Sequence, residues 1–280
     1  MTHACSSKQH HNASDGAVSR LGASSPPSAL RPLARLAAGR SGADIERIVR
    51  EARRTARRFG RSLVWNDLAE ALGAARQNRP EPMRWRMAVH EAAHALVHLV
   101  VGSGDLSILS IEADHGGIVQ IKPQAHVPET EAWLMAQIIV RLAGRAAEEI
   151  IFGDALAGSG GSPQSDLAIA TDLATMLETC LGFGRHQPLL YRPMGDHSHM
   201  LALDARLAAA VHERLDACYN QAREILEAEG DAHLWLARTL LHHGVLEGDD
   251  LAAVVAEVRG RLRGPNDGHD AWHRCGRGSG

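Results

Sequence analysis

The stretch MAVHEAAHALVHLV, residues 87–100, places His90, Glu91 and His94, with His98 one turn further on, within an otherwise apolar run. Ionisable side chains are rare on a buried helix face unless a partner binds them. Residues four positions apart lie on the same face of an α-helix, about 6 Å apart along its axis. The imidazoles of His90 and His94 can therefore direct nitrogen atoms at one metal ion. The stretch predicts a core helix that carries a metal site.

The residue types also indicate which metal and which chemistry. Zinc accepts imidazole ligands, and in the pattern H-E-x-x-H the glutamate acts as a general base. Glu91 adjoins the first histidine, from where it can take a proton from a water molecule at the open side of the metal. The alternative is a pair of histidines at the edge of the core that only make hydrogen bonds. His98 continues the row but lies about 80° further around the helix than His90, so we expect it to pack rather than bind metal.

A catalytic zinc site takes three protein ligands and keeps one position open, so a third ligand must come from elsewhere in the chain. Asp166 follows a glycine- and serine-rich loop and falls in the first turn of a predicted helix, where the helix dipole keeps a carboxylate ionised. The alternative is an ordinary acid at a helix start. The other acidic candidates are Glu148, Glu149, Asp154 and Asp172. A carboxylate beside a ligating histidine can also orient the ring. Glu148 and Glu149 suit this role, and the alternative is that both are solvated acids at a helix end.

The composition is that of a soluble globular protein with one large domain or two small ones. The 280 residues are 45% hydrophobic and 22% charged, with a net charge of −3, which argues against nucleic-acid binding as the role of the whole chain. The basic segment Arg50–Arg61 is more typical of a solvated face, or of a docking surface for an acidic partner. The cysteines form no CxxC pair, and no apolar run approaches the roughly 18 residues of a membrane span. We therefore expect a cytoplasmic protein.

Breaks in composition divide the chain into four parts. Residues 1–32 and 264–280 are polar and small, and they are expected to be disordered tails. Residues 33–79 predict a small helical segment, with Ser41 as a helix cap. Residues 84–263 predict the main domain.

Within the main domain, the apolar spacing and the glycine and proline breaks predict mostly helices. Two short runs, LSILSIEA and GGIVQIKP, predict a pair of strands. Thr130 and Ser165 are the expected caps of two of the helices. The predicted helices span residues 83–101, 131–152, 166–184, 201–229, 231–243 and 247–262.

Three motifs in this order, VHEAAHALV, LAGRAAEEIIFG and GSPQSDLAIATDLATMLETCLGFG, resemble the peptidase domain of the FtsH-type AAA+ zinc metalloproteases over about residues 84–258. The resemblance implies a mainly α, zincin-like helical metallopeptidase domain with a small β-hairpin or short sheet. It implies Zn²⁺ held by His90, His94 and Asp166, with Glu91 as the catalytic base. By the same resemblance, Glu148 is the carboxylate that orients a metal ligand.

The sequence departs from this family pattern at two places near the expected site. Ser165 stands where the family usually has asparagine, and the loop over residues 154–164 is slightly longer and richer in glycine. Neither departure removes an expected ligand. The site implied by the resemblance is therefore complete.

The segment before the main domain resembles the helical lid that closes an AAA+ ATPase domain, and includes SGADI at residues 41–45. No G-x-x-x-x-G-K-[ST] motif for binding phosphate occurs in the sequence, and residues 158–162, GSGGS, lack the lysine that this motif requires. With only residues 1–32 before the lid-like segment, we expect a chain without ATPase activity of its own.

Together these features predict a zinc metalloendopeptidase acting on proteins or unfolded polypeptides. The alternative is a non-catalytic zinc-binding adaptor, or a subunit of a larger ATP-dependent AAA+ protease. The expected partners are polypeptide substrates and either further copies of the chain, six by the resemblance, or a partner AAA+ ATPase. Neither nucleic acid nor a membrane span is expected. The segment Gly117–Ile121 is the expected place where substrate pairs as an added strand.

Overall fold

The computed structural model describes residues 30–37, 40–74, 79–113, 116–122, 128–157, 160–193 and 197–263. The two predicted tails lie outside these ranges, apart from residues 30–32, of which Arg31 and Pro32 already belong to the first helix. The described residues form two hydrophobic cores, a small one in the amino-terminal helices and a large one in the rest. Mainly α structure with a short sheet was predicted, and the architecture confirms it.

The small core joins three helices, α1 (Arg31–Leu36), α2 (Gly42–Arg58) and α3 (Trp65–Ala74). One buried residue from each helix, Leu33, Ile48 and Leu72, meets at the centre. Because only one stripe of each helix is apolar, three helices suffice to cover this core.

Two sequence signals mark the ends of these helices. Ser41 caps α2 as predicted, because its Oγ accepts a hydrogen bond from the backbone N–H of Asp44. Helix α3 begins at Trp65, so Asp67 falls within its first turn. Asp67 still acts locally, since its carboxylate accepts from the Val64 N–H at 2.9 Å and from Arg61.

The main body contains seven helices among the described residues. Their bounds are α4 Glu81–Val101, α5 Glu131–Phe152, α6 Asp166–Thr179, α7 His197–Leu203, α8 Ala205–Ala228, α9 Gly230–His243 and α10 Gly248–Arg261. The predicted helix over 201–229 is two helices, since Asp204 interrupts it and caps α8 by accepting from the Leu207 N–H at 3.0 Å. Gly230 was predicted as a break, but it is the first residue of α9.

Helix α4 carries the quoted stretch and is buried along most of its length. Its alanines at positions 88, 92, 93 and 95 are fully buried, which lets α5 and α9 approach closely. The helix begins at Glu81, three residues before the predicted boundary of the main domain. Pro82 is accommodated at this end because the first helical turn needs no N–H donor there. At the other end, Gly102 adopts a left-handed conformation with φ of 65° and terminates the helix.

Three antiparallel strands, β1 (Leu106–Ala113), β2 (Gly116–Ile121) and β3 (Val245–Glu247), form the sheet in the order β2-β1-β3. The first two were predicted. The third was missed because a run of three residues between two helices carries no strand periodicity, and its pairing with β1 is set by the fold. Within the described part of the chain, β2 pairs with β1 alone and forms an edge of the sheet.

Helices α5 and α6 follow their predicted caps. Thr130 accepts from the Trp133 N–H at 3.3 Å at the start of α5, and Gly153, with φ of 80°, ends that helix. Ser165 accepts from the Ala168 N–H at 3.3 Å and so starts α6 at Asp166. Across the described residues, no helix is both long and apolar enough to span a bilayer.

Candidate metal centre

Three predicted ligands, two from α4 and one from α6, converge at one point. The Asp166 Oδ2 lies 3.4 Å from Nε2 of His90 and 3.2 Å from Nε2 of His94. One donor atom from each residue lies within 4.8 Å of the others. Donors 2.0–2.1 Å from zinc at the corners of a tetrahedron are about 3.4 Å apart. The separations of Asp166 from both rings therefore fit a tetrahedral zinc ion.

The Nδ1 atom of each histidine, on the side of the ring away from Asp166, makes a hydrogen bond that fixes the orientation of the ring. His90 Nδ1 lies 2.7 Å from Glu148 Oε1, and His94 Nδ1 donates to the Val140 carbonyl oxygen at 2.7 Å. A proton on each Nδ1 leaves both Nε2 lone pairs directed at the centre. Once His90 has lost its second proton, these two acceptors favour the tautomer that a metal requires in both rings.

Besides His90, two groups hold Glu148 in place. Its Oε2 accepts from Arg86 Nε at 3.1 Å and from the Leu156 N–H at 2.8 Å. The Arg86 guanidinium also lies 4.6 Å from the ring centroid of Phe152. Sequence reasoning missed Arg86, although its position four residues before His90 places it on the same face of α4.

Asp166 reaches the centre because Ser165 caps the helix and fixes where its first turn begins. A second residue that sequence reasoning missed, Arg141 of α5, donates from Nη1 to Asp166 Oδ1 at 3.1 Å. One carboxylate oxygen therefore faces the two rings and the other faces the guanidinium. No sequence motif signals this contact, since residues 141 and 166 lie in different helices.

Glu91 is 8% exposed and lies under the edge strand β2. A Cβ atom at Gly117 would lie 2.2 Å from Glu91 Cγ, so only glycine allows this approach. The His90 ring has a similar close contact with α5, since a Cβ atom at Gly144 would lie 2.4 Å from His90 Nε2. Two glycines thus shape the space around the Glu91 carboxylate and the His90 ring.

Burial and the carboxylates govern the charges of these groups. Burial opposes a charge on His90, but its hydrogen bonds with Asp166 and Glu148 prevail and raise the pKa of His90 to about 10. Burial also opposes the charge of Asp166, but hydrogen bonds with both histidines hold its pKa far below the usual range. Burial raises the pKa of Glu91. An ionised carboxylate therefore faces the rings, and a metal that binds there must displace the proton of His90.

The other acidic candidates lie away from the three donors. Glu149 contacts Tyr219 and pairs with Arg145 at 3.0 Å, while Asp154 pairs with Arg86. Asp172 lines a surface groove with Gly160 and Leu201. His98 is buried with its Nδ1 against Ser103 Oγ and packs in the core, as predicted.

One peptidase family and several zinc metalloproteases are similar to this chain in sequence. The family model described as peptidase family M41 matches residues 79–254. The chain is 31% identical over 245 residues to the ATP-dependent zinc metalloprotease FtsH 2 of Symbiobacterium thermophilum, covering 81% of this chain and 41% of that protein. It is 32% identical over 247 residues to FtsH 2 of Sphaerobacter thermophilus, covering 82% and 37%. FtsH of Thermotoga maritima is 27% identical over 253 residues, covering 81% and 41%.

The chain spans about two fifths of the length of these relatives. The family match includes both histidines and the aspartate of the candidate metal centre, together with Glu91 and Glu148. By this match over more than half of its length, the chain belongs to peptidase family M41.

Proposed function

We propose that the chain is a zinc metalloendopeptidase that hydrolyses internal peptide bonds of proteins or unfolded polypeptides. The observation that carries the proposal is the convergence of His90, His94 and Asp166 next to the buried carboxylate of Glu91. Membership of a peptidase family supports it, as do the printed names of the relatives, which are zinc metalloproteases.

Zn²⁺ is the ion that these donors suit best. Two imidazole nitrogens and one carboxylate oxygen match the ligand types of catalytic zinc, which keeps a fourth position for water or substrate. When bound, zinc lowers the pKa of water and polarises a carbonyl group. The role of His90, His94 and Asp166 in the reaction is to hold the ion in one place.

Glu91 is proposed to move the proton. Its carboxylate takes a proton from the attacking water and passes it to the nitrogen of the departing amine. Burial beneath β2 excludes bulk water from this carboxylate, so the proton it receives is retained for the leaving group. A site that only binds zinc for structural reasons needs no such base.

The edge strand β2 is proposed to bind the substrate backbone. Gly117 brings β2 into contact with Glu91, and Gly117–Ile121 forms the edge of the sheet. A peptide that pairs with this edge would run past the base in an extended conformation, as in other cases of strand addition. Such pairing uses main-chain groups, so it accepts many sequences but requires an unfolded segment.

Helices α1–α3 are proposed to be the lid-like domain over residues 33–79, with the peptidase domain over 84–263. Their separate hydrophobic core supports this division. The resemblance to AAA+ lids suggests contact with a AAA+ ATPase or with further copies of the chain. The hydrolytic chemistry itself uses no nucleotide, and we propose that it runs without ATP.

Glu148 is proposed to orient His90, and replacing it tests this role. In Glu148→Gln the acceptor for His90 Nδ1 loses its charge, and we expect zinc affinity to fall about 10–100-fold. The measurement is competition with a chelator of known affinity. Glu149→Gln is the matched control. Glu149 is the next residue in the chain, and its carboxylate contacts Tyr219 and Arg145 instead. Equal loss in both variants, or loss in neither, would contradict the assigned role.

Removal of the metal tests the function as a whole. The purified chain is expected to carry one zinc ion and to cut unfolded casein at internal bonds, as seen by mass spectrometry of the products. A chelator should abolish cleavage, zinc should restore it, and ATP should leave the rate unchanged. Zinc bound without cleavage would favour the adaptor alternative. Chelator-resistant cleavage would contradict the proposal.

A further inference from the structure

The helix α5 contacts all three proposed metal ligands within little more than one turn. Val140 binds His94 through its carbonyl oxygen, and Arg141 binds Asp166 through its guanidinium. Gly144, three residues further on, lies against the His90 ring. Two of these contacts constrain imidazoles. The third, from Arg141, acts on the one ligand that has two equivalent donor atoms.

We propose that Arg141 is a positioning residue that keeps Asp166 a one-oxygen ligand and thereby preserves an open coordination position on the metal. The inference rests on the proposed function, since it assigns how one of the three ligands binds. The positions of the two carboxylate oxygens carry it. Oδ2 lies 3.2–3.4 Å from the two Nε2 atoms, while Oδ1 lies 3.1 Å from Arg141 Nη1.

A carboxylate can bind a metal through one oxygen or through both. For Asp166 to bind through both, Oδ1 would have to turn towards the imidazoles and leave the guanidinium. A second Asp166 oxygen would be a fifth donor, beside the two imidazoles, the first oxygen and the water. It would fill the position to which a catalytic zinc site expands during the reaction. The ion pair with Arg141 therefore favours the arrangement that leaves room for the reaction.

The position of Arg141 is fixed by its neighbours. Leu142 and Ala143 are buried in the main core, so the backbone that carries Arg141 cannot move freely. The side chain is itself 47% exposed, against 21% for Asp166. An ion pair this exposed contributes little to folding stability. Its effect is instead expected at the metal, where a change of one donor atom alters the coordination number.

The test replaces Arg141 and reads the metal directly. Methionine removes the charge and the donors, and lysine keeps the charge but lacks the planar fork of donors. Cobalt(II) is used in place of zinc, because its visible absorption is strong with four ligands and several-fold weaker with five. Arg145→Met is the matched control, since Arg145 lies on the same helix, is similarly exposed and pairs with Glu149.

Arg141→Met is expected to weaken the visible cobalt absorption several-fold, because Asp166 then supplies a second oxygen to the metal. Arg141→Lys should recover part of the absorption, and Arg145→Met should match the unmodified chain. Unchanged absorption in Arg141→Met would overturn the inference while leaving the proposed function intact. Failure of the unmodified chain to bind either metal would instead contradict the proposed function. Thermal unfolding of each metal-free variant checks that the fold is retained, and Arg141→Lys provides the test if the methionine variant does not fold.

Discussion

Replacing Glu91 by glutamine is expected to slow peptide hydrolysis about 10²–10⁴-fold, the usual contribution of a general base. Glutamine has nearly the same shape as glutamate, so the contact with Gly117 and the packing beneath β2 are retained. What is lost is the ability to accept a proton. Because substrate binding does not depend on that ability, we expect the fall to appear in kcat and not in KM.

The measurement pairs steady-state cleavage of an unfolded polypeptide with zinc content. Zinc content should be unchanged, since the proposed ligands are His90, His94 and Asp166. Glu149→Gln again serves as the control and should cleave at the unmodified rate. A Glu91→Gln variant that binds zinc and cleaves normally would contradict the assigned role of Glu91. If the unmodified chain and the variant both bind zinc and neither cleaves the polypeptide, the result favours the zinc-binding adaptor.

Replacing Gly144 by alanine is expected to lower zinc affinity at least about 100-fold, because the added methyl group displaces a ligand rather than a supporting group. A Cβ atom at this position would lie 2.4–2.7 Å from three atoms of the His90 ring. The ring can leave this contact only by swinging away from Asp166 and from its partner Glu148. The metal would then retain one histidine.

The fold itself should tolerate this change. In a helix, alanine is favoured over glycine by about 0.8–1 kcal/mol, which offsets part of the cost, about 1–3 kcal/mol, of displacing a buried side chain. The metal-free variant should therefore still unfold cooperatively, at a temperature only modestly below that of the unmodified chain. Gly260→Ala is the matched control, because Gly260 lies in α10 and nothing stands within 4 Å of an added Cβ atom. The control should keep full zinc affinity. Full affinity in Gly144→Ala would show that His90 does not bind metal from its position in the structure.

These two substitutions probe different features of the site. Glu91→Gln removes a chemical group and keeps the shape, whereas Gly144→Ala changes the shape and removes no polar group. If Glu91→Gln abolishes cleavage and Gly144→Ala abolishes zinc binding, the site requires both the base and the spacing of α4 from α5. An adaptor that only binds zinc would show the second effect without the first.

The local features of this protein could be predicted from the sequence because they depend on residues near one another in the chain. The spacing of His90 and His94 places both on one helix face whatever surrounds the helix. Ser41, Thr130 and Ser165 cap helices through hydrogen bonds that span three residues. The mainly α class and the first two strands follow from periodicity in the same way.

Tertiary structure decided the features that join distant parts of the chain. The pairing of β3 with β1 links residues 245–247 to 108–110, and three residues carry no pattern that could signal it. Arg86 binds Glu148, and Arg141 binds Asp166, because helix packing brings the two partners of each pair together. The contacts of Gly117 and Gly144 are equally non-local. The sequence alone thus determined which residues can bind metal, whereas helix packing determined how their atoms are oriented, because orientation depends on neighbours that the chain brings close only when it folds.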